Sequence, residues 1–542
     1  MLPSRITRLL RLLAFFAACL APASAQHGDD TLLAPAPTAL PGRLVLVLPF
    51  SNRSNQPALD WIGESFPEVL NLRLTSAGFL PIAREDRRYA LDHLGLPQDF
   101  QPSRATTLRL AQTLDADYVI VGSYVSEGSS LKATAQVLDV NSLRLSAPIE
   151  EQADPTRLLT LDNSLAWRIA RQLDPSYSVV EQTFVAADSG LRLDAFENYV
   201  RGLVEAQPEE RIRHLKEAVR LAPDYPSAWL ALGNAYFANQ QYEPAAAALG
   251  HLPTDDPHAL GADFYRGLSY FYTGSYAKAE DAFAFVSTRL PLPEVVNNQA
   301  VAASRRSKDA TPLFEQATAA DPKDADYHFN LAVSLRRRND LPGAAREIDQ
   351  ALKLRPQDTE AQSFSASLPS AGKTPVSFAP GSSPAQPLER IKRNYNEASF
   401  RQAAFEFEQV QAMRLTKLRP AERAASLNRD AVQFLNRGLM VEAERQFDAA
   451  LQAEPSNADA HAGLAQVRER TGDTDAARQE AQQSLQLQPN VSAHLVLARL
   501  DLSANHLNDA ATEVSAALKI EPRNSAAQGI RQALESRGQQ VP

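Results

Sequence analysis

The sequence predicts a small α/β sandwich followed by an all-α solenoid of helix pairs in two arrays. Three observations predict it. Between residues 43 and 176, strand-like apolar runs alternate with helix-like amphipathic ones. From Leu191 the pattern turns purely helical and recurs at a near-constant interval. A Ser/Pro/Gly-rich stretch at 363–387 then interrupts the recurrence before it resumes. A chain of 542 residues is long enough for several units, each with its own core.

Residues 1–25 read as an export signal peptide: Arg5, Arg8 and Arg11, an apolar run from Leu12 to Ala21, then "PASA" before Gln26. That run is shorter than the roughly 20 residues a membrane helix needs, and no later stretch approaches it, so no integral membrane segment is expected. The expected location is the periplasm or the face of the outer membrane. Cys19, the one cysteine, is read in two ways. Cleavage after Ala25 removes it and leaves no disulfide or thiol catalyst; a lipoprotein-type cleavage at "FAAC" makes Cys19 a lipid anchor. Without the three leading arginines, 52 basic residues face 64 acidic ones, a charge of −12, which argues against nucleic acid or anionic lipid as a general partner. Residues 26–42, rich in Pro and Ala, read as a flexible tether.

In the α/β domain at 43–176, "RLVLVLPF" is a strand and "PEVLNLRLTSAG" a helix ending at Gly78. "FLPIA" is a second strand, and "REDRRYALDHLG" and "SRATTLRLAQTLDA" are helices. "DYVIVGSYV" and "LKATAQVLDV", joined by "SEGSS", form a hairpin, and "LLTLDNSLAWRIARQL" closes the unit. The first array spans 177–362 and holds about five helix pairs. One pair carries Trp229, Leu232, Gly233, Tyr236, Ala245, Leu249 and Pro257; another Gly267, Tyr270, Ala279 and Phe283; a third Leu331, Ala332, Leu335, Ala344, Ala351 and Pro356. Small residues stand where antiparallel helices approach closely, aromatics fill the space beside them, and the proline ends the second helix. After the linker at 363–387, helical repetition is expected from Leu388 through the second array, 388–542. Its units close on Pro455, Pro489 and Pro522, with small residues at Ala443, Ala477 and Ala510 and a capping helix over about 525–537.

These repeats resemble the tetratricopeptide repeat (TPR) family, which implies a superhelix of helix pairs that binds peptides or protein segments in its groove. The first domain resembles the TolB-like domain of Tol-system and curli-secretion-type proteins through "VLPFSN" at 47–52, "DADYVIVGSY" at 115–124 and "AQVLDV" at 135–140. That resemblance implies an accessory or assembly role without catalysis.

Residues 45–70, "VLVLPFSNRSNQPALDWIGESFPEVL", run from a strand through a turn into a helix, the place where phosphate loops and nucleophile elbows sit. The turn has no glycine-rich loop, and "IGESFP" lacks the second glycine of an elbow. Ser65 and Glu68 read instead as a capping box. No catalytic, cofactor or metal constellation is found; His328 and His461 fall where the repeat grid places Trp229 and read as packing residues. "REDRR" at 84–88 reads as a charged helix start rather than an anion-binding knot. The candidate site is the groove of the first array, with Phe237, Phe264, Phe271 and Tyr272 on first helices and Arg305, Arg336 and Arg337 on the same face. Aromatics beside guanidinium groups suit an extended or acidic protein segment; the bland reading packs the aromatics between repeats and leaves the arginines solvated. Asn234 and Asn298 face nearby, but the lysines of a carboxylate clamp are missing. The expected function is an exported bacterial scaffold or adaptor that binds other proteins, with an envelope-associated α/β docking module and no cofactor. One alternative is a sensor whose α/β module binds a small ligand; another, an enzyme, has no constellation to support it.

Overall fold

The computed structural model describes residues 44–54, 56–97, 103–187, 190–368, 387–395, 410 and 413–541. The export signal with Cys19, the tether at 26–42 and positions 369–386 of the expected linker lie outside these residues.

Side chains alternate across β1 (Leu44–Val47): Val45 and Val47 enter one core, Leu46 the other, as a strand with two covered faces requires. β2 (Ser51–Asn52) follows, and β3 (Leu80–Pro81) pairs with β1 in parallel. β4 (Tyr118–Glu127) lies parallel to both β1 and β2. It turns through Gly128 into antiparallel β5 (Ser130–Asp139). β6 (Arg144–Leu145) and β7 (Ile149–Ala153), neither expected from the sequence, both pair with β5. One face of the sheet carries α1 (Ile62–Ser76), and the other α2 (Arg84–His93) and α3 (Arg104–Thr113). α4 (Leu158–Leu173) joins α1: Phe66 and Leu70 share a core with Leu161, Leu165 and Ile169.

The opening strand–turn–helix corrects two expectations. α1 starts at Ile62, so Ser65 lies inside the helix, where its hydroxyl donates to Ile62 O at 2.8 Å and sits 3.3 Å from Asp162 Oδ2. The capping box with Glu68 is not formed. The cause is the 2.9 Å bond from Phe50 N–H to Gly63 O, which pulls the first turn against the strand end. A Cβ on Gly63 would stand 2.5 Å from Phe50 O, so the glycine serves close approach. "REDRR" faces inward in part: Arg84 and Arg87 both bind Glu64, and Arg84 Nη2 donates to Leu203 O at 2.9 Å.

A short helix, α5 (Glu181–Ala186), leads into the first array. Its helix pairs are α6 (Leu193–Val204) with α7 (Pro208–Leu221), α8 (Pro226–Ala238) with α9 (Tyr242–Leu249), and α10 (Ala259–Tyr272) with α11 (Tyr276–Ser287). α12 (Pro293–Arg305) with α13 (Thr311–Ala320) and α14 (Ala325–Arg337) with α15 (Leu341–Leu354) complete it. A further helix, α16 (Thr359–Ser367), occupies the start of the expected linker, because Asp358 caps it by accepting from Ala361 N–H and Phe364 packs on Phe329. Close approach explains Gly233: a Cβ there would meet Leu249 Cγ at 2.5 Å. The second array pairs α17 (Pro420–Asn436) with α18 (Met440–Ala453) and α19 (Ala458–Arg470) with α20 (Thr474–Leu487). α21 (Val491–Ser503) pairs with α22 (Leu507–Ile520), and α23 (Ser525–Ser536) ends the stack. Helical repetition does not resume at Leu388: residues 387–395 contain no helix.

The Trp229 position has a defined task. Trp229 Nε1 donates to Pro223 O at 2.7 Å, and Gln362 Nε2 makes the same bond to Pro356 O at 2.7 Å. His328 Nε2 lies 3.1 Å from Pro322 O, so this position satisfies a carbonyl that the ended helix leaves open. His328, His461 and His494 also reach, through Nδ1, Glu347, Glu480 and Glu513 at 2.7, 2.7 and 2.6 Å, so they bind between helices rather than merely fill space.

Two polar joints bind the modules. At the first, Tyr199 of α6 donates to Glu68 Oε2 at 2.9 Å. At the second, residues 178–183, which run into the first turn of α5, dock on the second array. Val180 N–H donates to Glu444 at 2.9 Å, Ser178 Oγ to Asp448 at 2.6 Å and Gln182 Nε2 to Thr471 O at 3.0 Å. Glu444 is fully buried and is held by Arg468 at 2.8 Å and by Thr183, which supplies the pairing a buried carboxylate needs.

Burial, and then the neighbouring Glu64, pushes the Glu68 carboxyl up to about 7. The folded state therefore holds a proton that the unfolded chain releases near pH 4.5, and its stability falls as pH rises between those values. Glu68→Gln is expected to exceed the wild type in unfolding free energy by roughly 1–3 kcal/mol at pH 8 and to match it at pH 5, measured by urea denaturation at both.

Candidate protein-binding groove

The groove holds a segment of the chain itself. Residues 387–395, "PLERIKRNY", run extended across the first helices α14, α12 and α10. An extended strand without a sheet neighbour carries unpaired N–H and C=O groups, and a buried asparagine carries an unpaired amide; each can satisfy the other. Asn298 on α12 and Asn330 on α14, both fully buried, do this. Asn330 Oδ1 accepts from Arg390 N–H at 2.6 Å while its Nδ2 donates to Arg390 O at 2.8 Å. Asn298 repeats the pair on Lys392, accepting at 2.7 Å and donating at 2.8 Å. Asn297 Nδ2 adds a donor to Arg390 O at 3.1 Å, and its Oδ1 accepts from Asn330 Nδ2 at 2.7 Å.

The side chains divide by the two-residue period of an extended chain. Glu389, 4% exposed, binds Arg305 and Arg337 together with Ser304. Ile391 packs against the two buried clusters that contain Phe264 and Phe314. On the alternate side, Arg390 lies over the Phe329 ring at 3.8 Å and reaches Asp326 at 3.0 Å, Asp358 at 2.5 Å and Glu360 at 2.8 Å. Lys392 binds Asp324 at 2.7 Å and Asp326 at 2.8 Å, 5.0 Å from the Tyr327 ring. Tyr395 ends the strip with its ring 4.9 Å from that of Phe264.

Burial opposes the charge on Asp326, yet hydrogen bonds from Lys392, Arg355 and Arg390 hold its carboxyl well below the usual range. The bond from Arg390 lowers Asp358 in the same direction. Both contributions are complete at neutral pH and are lost only as pH falls below the ordinary carboxylate range.

The seven expected residues divide accordingly. Arg305 and Arg337 meet the bound segment directly, Phe271 lies 5.9 Å under the Arg305 guanidinium and shares two core clusters with Ile391, and Tyr272 takes a hydrogen bond from Arg393. Phe264 is 1% exposed and sealed against Phe283, presenting only an edge to Tyr395, because the helix pair closes over it. Phe237 packs among Tyr242, Tyr265 and Tyr272, and Arg336 lies 5.3 Å over Phe364 with a bond to Ser367 Oγ. These two serve contacts between repeats, and the arginines are paired rather than merely solvated. Asn234 is exposed on α8, whereas Asn298 grips the segment. Sequence reasoning missed Asn297, Asn330 and the carboxylates Asp324, Asp326, Asp358 and Glu360. The available signal was that Asn330 stands in α14 where Asn298 stands in α12, seven residues before Arg337 and Arg305 respectively. Among the described residues no three His, Cys, Asp or Glu side chains could hold a metal ion, and no helix is long and apolar enough to cross a membrane.

One tetratricopeptide repeat family matches residues 299–359 and 434–492, and a second matches residues 205–265. The helical arrays contain tetratricopeptide repeats. Proteins with TPR arrays serve protein–protein interaction, and α14, which carries Asn330 and Arg337, lies within the matched residues 299–359. Among solved structures, MamA residues 41 to the end from Desulfovibrio magneticus RS-1 is 22% identical, covering 31% of this chain and 99% of its own at a TM-score of 0.29. YrrB, described as a TPR protein with an unusual peptide-binding site, is 15% identical, covering 37% and 98% at 0.29. The LpoB C-terminal domain from Salmonella enterica is 18% identical, covering 21% and 83% at 0.19. A comparison with curated proteins finds no match.

Asn298→Ala with Asn330→Ala leaves the Arg390 and Lys392 peptide groups unpaired, at a cost of about 1–3 kcal/mol for each residue replaced. Limited trypsin digestion is expected to spare Arg390 and Lys392 in the wild type and to cut there at least ~10-fold faster in the double variant, read by mass spectrometry.

Proposed function

We propose that the chain is an exported bacterial scaffold or adaptor that holds extended segments of other proteins in its TPR groove. The observation that carries the reading is the pair of buried asparagines that grip peptide backbone at alternate residues, since backbone recognition accepts many sequences while the flanking charges select among them. The positive–apolar–small pattern of residues 1–25 supports export. The likeness of the sheet-containing region to TolB-like domains supports its use as a docking module at the cell envelope: "VLPFSN" runs from the end of β1 through β2, and "AQVLDV" reaches the end of β5. The joint through Glu68 ties that module to the first array, and the joint through Glu444 ties the second array to the segment that follows the module and bonds back to it through Trp167, so a partner held by the groove is kept close to whatever the module contacts.

In-cell crosslinking with mass spectrometry, on fractionated cells, tests the proposal. The chain is expected in the envelope or periplasmic fraction with a reproducible set of crosslinked proteins, part of which Asn298→Ala with Asn330→Ala removes. Recovery in the cytoplasmic fraction, or an unchanged partner list in the double variant, would refute it.

A further inference from the structure

We infer that residues 387–395 are a built-in competitor for the first groove, and that the partner it excludes is an extended protein segment repeating their chemistry: an acidic residue, then basic, aliphatic and basic residues in succession, with an aromatic three positions later. This rests on the reading of the groove as a protein-binding site and adds the class of ligand and its control.

Two observations separate a competitor from a structural strap. First, the groove is formed without it. The cluster around Phe329, Ile348 and Phe364 contains no residue of the segment, and in the clusters around Phe264 and Phe314 Ile391 and Tyr395 are peripheral members on cores already closed by α10–α14. Second, the segment is held by side chains reaching from rigid helices, with few apolar anchors of its own; Leu388 is 58% exposed. Contacts of this kind break locally without unfolding their support.

The groove also specifies the ligand. Arg305 and Arg337 converge on one carboxylate position, and Asp324, Asp326, Asp358 and Glu360 surround the two positions that flank the aliphatic one. A segment with charges in the opposite order would bring arginine to arginine and carboxylate to carboxylate. A nucleic acid, negative along its whole length, complements the arginines but is repelled by the four carboxylates.

Tethering sets the strength of the competition. With an effective concentration on the order of 1 mM for the attached segment and a dissociation constant on the order of 10 μM for a free one, apparent affinity for an outside ligand drops about 100-fold. The test uses the full chain and a fluorescein-labelled peptide of sequence PLERIKRNY, read by fluorescence anisotropy. Glu389→Arg with Ile391→Asp empties the groove without altering it; Arg390→Glu with Lys392→Glu is an independent second variant. Both are expected to bind the peptide about 100-fold more tightly than the wild type. Adding Asn298→Ala and Asn330→Ala to either should cost at least ~10-fold, and the peptide with Glu replaced by Arg should not bind. Equal affinity of the wild type and the emptied variants, or no binding by variants that retain the wild-type melting temperature, would overturn the inference. Such a failure is separable from failure of the functional proposal, which depends on the crosslinked partner list and not on this peptide.

Discussion

An extended peptide taken out of water must find partners for its N–H and C=O groups, and here they come from side chains rather than from a strand. Asn298 and Asn330 each offer a carbonyl and an amino group in one plane, which matches the N–H and C=O of a single residue. The arrangement holds both ways: those amides are fully buried and would be costly without the peptide or ordered water. Much else in the groove follows from it. Gripping Arg390 and Lys392 by their backbone fixes the direction of the segment, and the two-residue period then decides which side chains face the arginines and which face the carboxylates.

The charges are arranged in opposed sets. Arg305 and Arg337 would repel each other across an empty position; Glu389 between them gives each a partner and is itself buried. Asp324, Asp326 and Asp358 would do the same without Arg390 and Lys392. Each set is therefore stabilised by an occupant and destabilised by its absence, which favours having the site filled at all times, by the chain's own segment or by another.

The repeat architecture was legible because its positions recur: Gly233 where Leu249 approaches, and Ala443, Ala477 and Ala510 at zero exposure. The strands β1, β4 and β5 were legible from alternation, whereas β6 and β7 are short or half-polar and carry no apolar period. Ser65 and Glu68 misled because a Ser-x-x-Glu spacing signals a cap only at a helix start, and the Phe50–Gly63 bond moves that start upstream. In the groove, Arg305, Arg337 and Phe271 were found because position on the grid fixes a face. Phe264 is buried, while Phe237 and Arg336 are half-buried like Phe271 and Arg305 but are taken up by residues of the next repeat, and those neighbours are not specified by the grid. The segment at 387–395 could not be anticipated as a ligand: its charges pair with opposite charges 30 to 84 residues away in sequence, a pairing no local pattern records.

The buried polar joints extend the same logic to the rest of the chain, with Glu444 receiving the backbone of Val180 as the asparagines receive that of Arg390 and Lys392. The central claim is that the first TPR groove holds peptide backbone through Asn298 and Asn330, and the most direct measurement is site-resolved amide hydrogen exchange of Arg390 and Lys392 in the full chain. Exchange slowed at least ~100-fold relative to an unstructured peptide, and restored at Lys392 by Asn298→Ala, is the predicted result. Exchange at unstructured rates in the wild type would contradict it.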